Sequence, residues 1–290
     1  MANSTLLRSA AEGTREFDDL LARLEQRGDA DLGSVELVVK EVLAAVRKEG
    51  DQAVLRYVER FEQRKPGKLM LREYGGAEAL EALAPAVRDA LRLAAARIRR
   101  YHEKQAEGLF GFEYEEGGVR LQSRVQALER VGVYVPGGKA RYPSSVLMSA
   151  IPAAVAGVED IIVASPDTSV EVRAACHLAG VHGLLDAGGA QAIAALAYGT
   201  ESVPRVAKIV GPGNIYVAAA KRLVFGEVSI DSIAGPSEIL VVADDGADAA
   251  IIAADLLSQA EHDEAAYALL VTTSRALVDA VRSELSRQLA

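Results

Sequence analysis

The sequence predicts a mixed α/β protein of Rossmann-like architecture, and three observations carry that prediction. From Val131 onward, short β-rich runs alternate with segments of helical periodicity. Glycine-rich turns stand where strands give way to helices. The residues before Val131 read mainly as helices, with few strands. Strand, helix, strand in this rhythm implies a parallel sheet joined by right-handed crossovers.

Taken in order, the first strong helix carries Val35, Val38, Val39, Val42 and Val46 at helical spacing, with Ser34 as its expected N-cap and Gly50 as its stop. A second helix starts at Asp51 and is expected to bury Val54, Leu55, Val58 and Phe61. After a break at 64–67, Pro85 suits the first turn of a longer helix, in which Leu91, Ala94, Ala95 and Ile98 form a stripe. Its far end carries Arg97, Arg99, Arg100 and Lys104, a solvated basic face that complements the helix dipole. A hairpin is expected around Glu116, Gly117 and Gly118. The predicted strands that follow span 131–135, 160–164, 181–185, 206–210, 239–243 and 268–272. The predicted helices span 144–156, 170–179, 190–198, 215–224, 247–260 and 275–289.

The chain has 290 residues with 32 Lys and Arg against 41 Asp and Glu, a formal net charge of −9. That acidity argues against a dedicated nucleic-acid binder, which needs basic residues to displace counterions. Half the residues are hydrophobic and 25% are charged, enough apolar material for a core and enough charge to dissolve. The one cysteine, Cys176, allows no internal disulfide and favours a reducing compartment. Arg8, Glu12, Arg15 and Glu16 interrupt the first stretch before any apolar run reaches the length of a secretory segment. The most apolar segment, 146–158, is shorter than the about 20 residues a membrane span requires. A soluble, cytoplasmic protein is expected.

The glycine-rich turns are Pro136-Gly137-Gly138, Gly188-Gly189-Ala190-Gln191 and Gly211-Pro212-Gly213-Asn214. Each alone reads as a plain strand-to-helix connection, and none is a GxGxxG. Together, in one α/β region, they favour a small-molecule site at the carboxyl edge of a sheet, where helix amides favour anionic groups. Gln259 and His262, three apart, fall on one helix face and could present an amide oxygen and an imidazole to one metal, although spacing alone favours a surface histidine near a helix end. His102, His177 and His182 show no metal-ligand spacing, and Cys176 reads as a small buried apolar residue. Ser237, after a Gly-Pro turn, either bonds a polar ligand or simply completes the turn. No G-x-S-x-G elbow supports a serine hydrolase.

The segments VGVYVPGGKARYPSSVLMSAIPAAVAGV, GGAQAIAALAYGTESVP, KIVGPGNIYVAAAKR, IDSIAGPSEILVVAD and DLLSQAEHD together resemble, in that order, the histidinol dehydrogenase family. The resemblance covers essentially the whole chain and is strongest from Val131 to Asp263. It implies a zinc-dependent, homodimeric enzyme that oxidises L-histidinol to L-histidine through an aldehyde, passing two hydrides in succession to two NAD molecules. By motif it places Tyr134, Gln191 and Asn214 at NAD-binding positions. Ser237, Gln259 and His262 fall at substrate-binding positions, and Gln259 with His262 also ligates zinc.

The resemblance further implies one Rossmann-like domain inserted in another: 1–130 as the N-terminal helical part of the first domain, 131–236 as the inserted NAD-facing domain, and 237–290 as an incomplete return of the first. The family's Glu-His acid/base pair, and an Asp and a His that complete its zinc site, fall beyond Ala290, so catalysis by these residues alone is expected to be impaired. Glu238, Glu261 and Glu264 are the nearest carboxylates by sequence, and Glu264 stands where the family commonly has Pro. A non-catalytic nucleotide-binding or subunit-pairing α/β module is the alternative of a different class. An α/β dehydrogenase of unrelated substrate is disfavoured by the missing GxGxxG.

Overall fold

The protein is described by a computed structural model over residues 7–25, 29–137, 142–233, 238–261 and 266–289. In chain order the elements begin with α1 (Arg15–Glu25), α2 (Asp29–Glu49), α3 (Asp51–Glu62), β1 (Met70–Leu71), α4 (Gly76–Ala82) and α5 (Pro85–Ala106). A hairpin of β2 (Phe112–Glu116) and β3 (Val119–Ser123) follows. Then come β4 (Arg130–Tyr134), α6 (Pro143–Val155), β5 (Asp160–Ala164), α7 (Val170–Ala179), β6 (Gly183–Leu185), α8 (Gly189–Tyr198), β7 (Lys208–Val210), α9 (Ile215–Val224) and β8 (Ser229–Ile230). The chain continues with β9 (Glu238–Ala243), α10 (Ala249–Ala260), β10 (Tyr267–Thr272) and α11 (Arg275–Gln288).

Two compact units emerge, residues 32–233 and residues 1–31 with 234–290. The larger holds a six-stranded sheet in the order β1-β6-β5-β4-β7-β8, with β1 antiparallel and the other pairings parallel. Strands buried on both faces need continuous apolar runs rather than alternation. Ile161, Ile162, Val163 and Ala164 of β5 are all fully buried. Alternate residues serve opposite cores. Ile162, Ala164, Leu185 and Ile209 pack with α2, α3, α8 and α9, whereas Val131, Val133, Ile161, Val163 and Leu184 pack with α5, α6 and α7. After β6 the chain crosses to the far side of β4, so the order reverses between β4 and β7. In open α/β sheets such a reversal leaves a crevice outside the strand ends.

The smaller unit pairs β9 with β10 in parallel, register Glu238↔Tyr267 through Ala243↔Thr272. One face, with Ile239, Val241, Ala268 and Leu270, packs on Ile252, Leu256, Leu277 and Val281 of α10 and α11. Among the described residues, no helix is long and apolar enough to cross a membrane.

The structure corrects several expectations. Most of α2 and all of α3 to α5 cluster with the sheet, so the compact units divide at 31/32 and 233/234, a partition by contacts that is distinct from the expected domain bounds at 130 and 236. The reason is burial: Val39, Val42, Val46, Val54 and Val58 join the same core as Ile193 and Ile209. Helix α2 starts at Asp29, leaving Ser34 inside it rather than at the cap. A cap is worth about 1 kcal/mol, too little to override an extra turn of backbone hydrogen bonds. Val38, Leu55 and Phe61 are exposed, while Ala53 and Tyr57 take the buried face of α3. Helix α4 was not predicted. The hairpin turn falls where expected, with Gly117 and Gly118 at φ 59° and 80°, the left-handed pair that a tight two-residue turn demands.

Candidate functional site

The carboxyl ends of β4, β5, β6 and β7 open onto one cleft of about 930 Å³. Tyr134 and Gly137 enter it after β4, Asp167 and Ser169 after β5, Gly188 to Gln191 after β6, and Asn214 after β7. Val38, Val42, Phe61, Glu62 and Arg64 line it as well, from α2, α3 and the segment after α3. The exposure of Val38 and Phe61 is thereby explained: they face the cleft rather than the core.

Each of the three sequence-predicted cofactor residues sits at a strand-to-helix junction. Tyr134 ends β4 and is buried, and its Oη accepts the Gly189 N–H at 3.0 Å. Burial pushes its phenol up to about 12, against the Gly189 hydrogen bond and helped by the nearby Glu62 charge. Tyr134 is therefore a neutral hydroxyl near pH 7. Its oxygen is used as an acceptor, and no described residue takes its proton. Asn214 caps α9, its Oδ1 accepting the Val217 N–H at 3.2 Å. That bond commits its oxygen and leaves its Nδ2 as the free donor. Gln191, third in α8, is only 2% exposed yet lines the cleft.

Two charged networks hold these turns. Glu62 Oε1 accepts from Gly188 N–H at 2.9 Å and from Gln191 Nε2 at 3.1 Å. Its Oε2 pairs with Arg64 Nη2 at 2.5 Å, and Arg64 Nη1 pairs with Asp186 Oδ1 at 2.8 Å. Burial works against the Arg64 cation, but Asp186 and Glu62 more than offset it and raise its pKa. On the other side of β4, Lys221 Nζ donates to Gly211 O at 3.0 Å and to Asp231 Oδ1. Asp231 Oδ2 accepts the Gly211 N–H at 2.8 Å, so both backbone groups of Gly211 are tied down. None of Glu62, Arg64, Asp186, Lys221 and Asp231 is singled out by the sequence reading; Asp186, Lys221 and Asp231 stand near the glycine turns in the chain, whereas nothing local marks Glu62 or Arg64.

The remaining expectations distribute as follows. Gln259 lies half-buried in the last turn of α10, in the smaller unit. Ser237, His262 and Glu264 lie outside the described residues. Glu238 opens β9 and Glu261 ends α10, both exposed. Cys176 is fully buried and unpaired with any other sulfur, and burial pushes its thiol up, as befits a small core residue. His182 Nδ1 accepts the Ile161 N–H at 3.1 Å, a structural use. No group of three or more His, Cys, Asp or Glu suited to a metal occurs among the described residues.

A mainly parallel α/β sheet with a cleft at its carboxyl edge, lined by the hydrogen-bonding Tyr134, Gln191 and Asn214, the charged Glu62, Arg64 and Asp167, and an apolar wall, defines an α/β protein with a sheet-edge cleft. The family profile "Histidinol dehydrogenase" matches residues 25–290, and the chain belongs to that family. The histidinol dehydrogenase of Aquifex aeolicus (strain VF5) is 50% identical over 276 residues, covering 94% of this chain and 64% of the relative. That of Pseudomonas aeruginosa PAO1 is 52% identical over 282 residues, covering 95% of this chain and 63% of the relative. The crystal structure of histidinol dehydrogenase from Elizabethkingia anophelis superposes with a TM-score of 0.78 at 33% identity, over 88% of this chain and 60% of that one. The chain thus spans just under two thirds of the length of these relatives.

Proposed function

We propose that this chain carries the NAD-facing part of a histidinol dehydrogenase, an enzyme of histidine biosynthesis that oxidises L-histidinol to L-histidine through histidinaldehyde. One observation supports the reading above the others: Tyr134, Gln191 and Asn214, assigned to NAD by separate motifs, come from three strand ends and line one cleft. The strand order reversal between β4 and β7 supports a Rossmann-like assignment for the sheet-bearing unit, which would stand as an insertion between the flanking segments. A cytoplasmic homodimer completes the proposal.

The donor and acceptor pattern suits the cofactor. Tyr134 offers a hydroxyl proton, Asn214 an amide N–H pair, and Gln191 an amide, while Phe61, Val38 and Val42 give an apolar wall for a flat ring. NAD, when bound, supplies the hydride acceptor; the protein supplies placement and exclusion of water. For zinc, Gln259 and His262 contribute an amide oxygen and an imidazole nitrogen, two of the roughly four donors the ion usually takes. They would serve as contributing ligands and, with Ser237, as contacts to the amino alcohol.

Calorimetric titration with NAD tests the assignment. Tyr134→Phe, Gln191→Ala and Asn214→Ala are each expected to weaken binding by about fivefold, the equivalent of one hydrogen bond of about 1 kcal/mol. NAD affinity untouched by all three would refute it. A non-catalytic nucleotide-binding module would show the same losses, so a turnover assay with histidinol, NAD and zinc separates the two readings.

A further inference from the structure

We propose that Glu62 is a positioning residue that dedicates the α8 end of the cleft to a neutral, hydrogen-donating group of the ligand and excludes phosphate from it. The proposal rests on the NAD reading for the identity of the ligand and on the structure for its chemistry.

The starting point is Gln191, a buried amide whose two ends are chemically opposite. Glu62 is a carboxylate and can only accept, so the Gln191 group within 3.1 Å of Glu62 Oε1 must be the NH2 end. That fixes the flip of the amide and leaves its oxygen as the end still open. No other hydrogen bond to the Gln191 side chain occurs among the described residues, and that side chain lines the cleft. The cleft therefore meets an acceptor at Gln191. A ligand group that satisfies it must donate, as a ribose hydroxyl or a carboxamide NH2 does.

The same carboxylate settles what the helix end can hold. A helix N-terminus ordinarily attracts anions through its free amides. At α8 the first two of those amides are already taken. Gly188 N–H goes to Glu62 Oε1 at 2.9 Å, and Gly189 N–H goes to Tyr134 Oη at 3.0 Å. Local charge points the same way: Glu62 and Asp186 contribute two negative charges against the single positive charge of Arg64. A phosphate placed here would meet a net negative site in which the Gly188 and Gly189 amides are already bonded. Glu62 occupies the place a phosphate takes at many helix N-termini, which sends the diphosphate of a dinucleotide elsewhere along the cleft.

The test uses the full chain with isotope-labelled glycine, following the Gly188 and Gly189 amide signals by NMR while inorganic phosphate is added. In the unsubstituted chain both signals should stay in place. In Glu62→Ala the freed Gly188 amide should shift with phosphate in a saturable way, a gain of binding that a merely structural role would not produce. NAD affinity of Glu62→Ala should fall about tenfold, and Glu62→Gln, which keeps an acceptor oxygen in reach, should recover part of that loss. If Glu62→Ala does not fold, Glu62→Gln carries the test, since its neutral amide should admit phosphate weakly where the carboxylate does not. A phosphate-induced shift at Gly188 in the unsubstituted chain would overturn the proposal, and so would Glu62 variants with unchanged phosphate response. If the unsubstituted chain binds no NAD while Glu62→Ala gains phosphate, the cofactor reading falls and the positioning role of Glu62 stands.

Discussion

Gly211→Ala is expected to destabilise the sheet-bearing unit by about 3–5 kcal/mol and to abolish measurable NAD binding. Gly211 has φ 114°, a region closed to L side chains, so the substitution carries backbone strain wherever the new methyl points. The methyl also has no room: a Cβ there would lie 2.1 Å from the Tyr134 carbonyl oxygen and 3.0 Å from its carbon. Tyr134 belongs to β4, which is paired on both sides by β5 and β7 and cannot step back. The turn itself must yield, carrying Asn214 away from Tyr134 and Gln191. Gly226→Ala provides the control, because Gly226 has φ 99° with nothing within 4 Å of a Cβ. It should cost only the strain, about 1–3 kcal/mol, and leave NAD binding intact. Equal losses for the two variants in urea unfolding would show that the close approach to Tyr134 contributes nothing.

Legibility of the fold followed the range of the interactions involved. Helices α7 and α9 have the bounds read from sequence, because each starts at a side-chain cap. Ser169 Oγ accepts Val172 N–H at 3.3 Å, and Asn214 does the same for Val217. The strand at 160–164 was equally plain, as its apolar run serves two cores at once. What escaped was decided by distant partners. Val54 and Val58 are buried as their periodicity predicts, yet Ala53 and Tyr57 join them on the buried face of α3 in place of Leu55 and Phe61. Glu62 is separated from Gly188 by 126 positions and from Gln191 by 129, a juxtaposition no local pattern encodes. The glycine turns marked where a site would be, and the carboxylates and cations that hold those turns became visible only through the packing of α3 and α9.

Lys221→Met tests the second of those supports and is expected to cost about 2–4 kcal/mol. The Lys221 side chain is 3% exposed and Asp231 34%, so removing the cation strands a carboxylate that water reaches only in part. The range lies somewhat below that of a fully buried pair for that reason. Met matches the aliphatic stem in volume, which confines the loss to the ammonium and its bonds to Gly211 O and Asp231. The pH dependence gives the signature. In the unsubstituted protein, burial alone would raise the Asp231 carboxyl, but Lys221 and the N–H groups of Gly211 and Ser232 together hold it below the ordinary aspartate value of 3.8. A folded-state pKa depressed in this way contributes stability that is present above the unfolded value and is lost as pH falls through the folded one. With Lys221 gone, burial should dominate and raise the carboxyl, so acid would relieve the stranded charge rather than break a pair. The stability gap between Lys221→Met and the unsubstituted chain should therefore be widest near pH 7 and should narrow as pH drops towards about 4. Asp231→Asn placed on top of Lys221→Met should recover part of the loss at pH 7, because no charge is then left unpaired. Urea unfolding of the three proteins at both pH values decides the matter: a gap independent of pH, with no recovery in the double variant, would mean that Lys221 acts through packing alone and that the Gly211 turn stands without its ion pair.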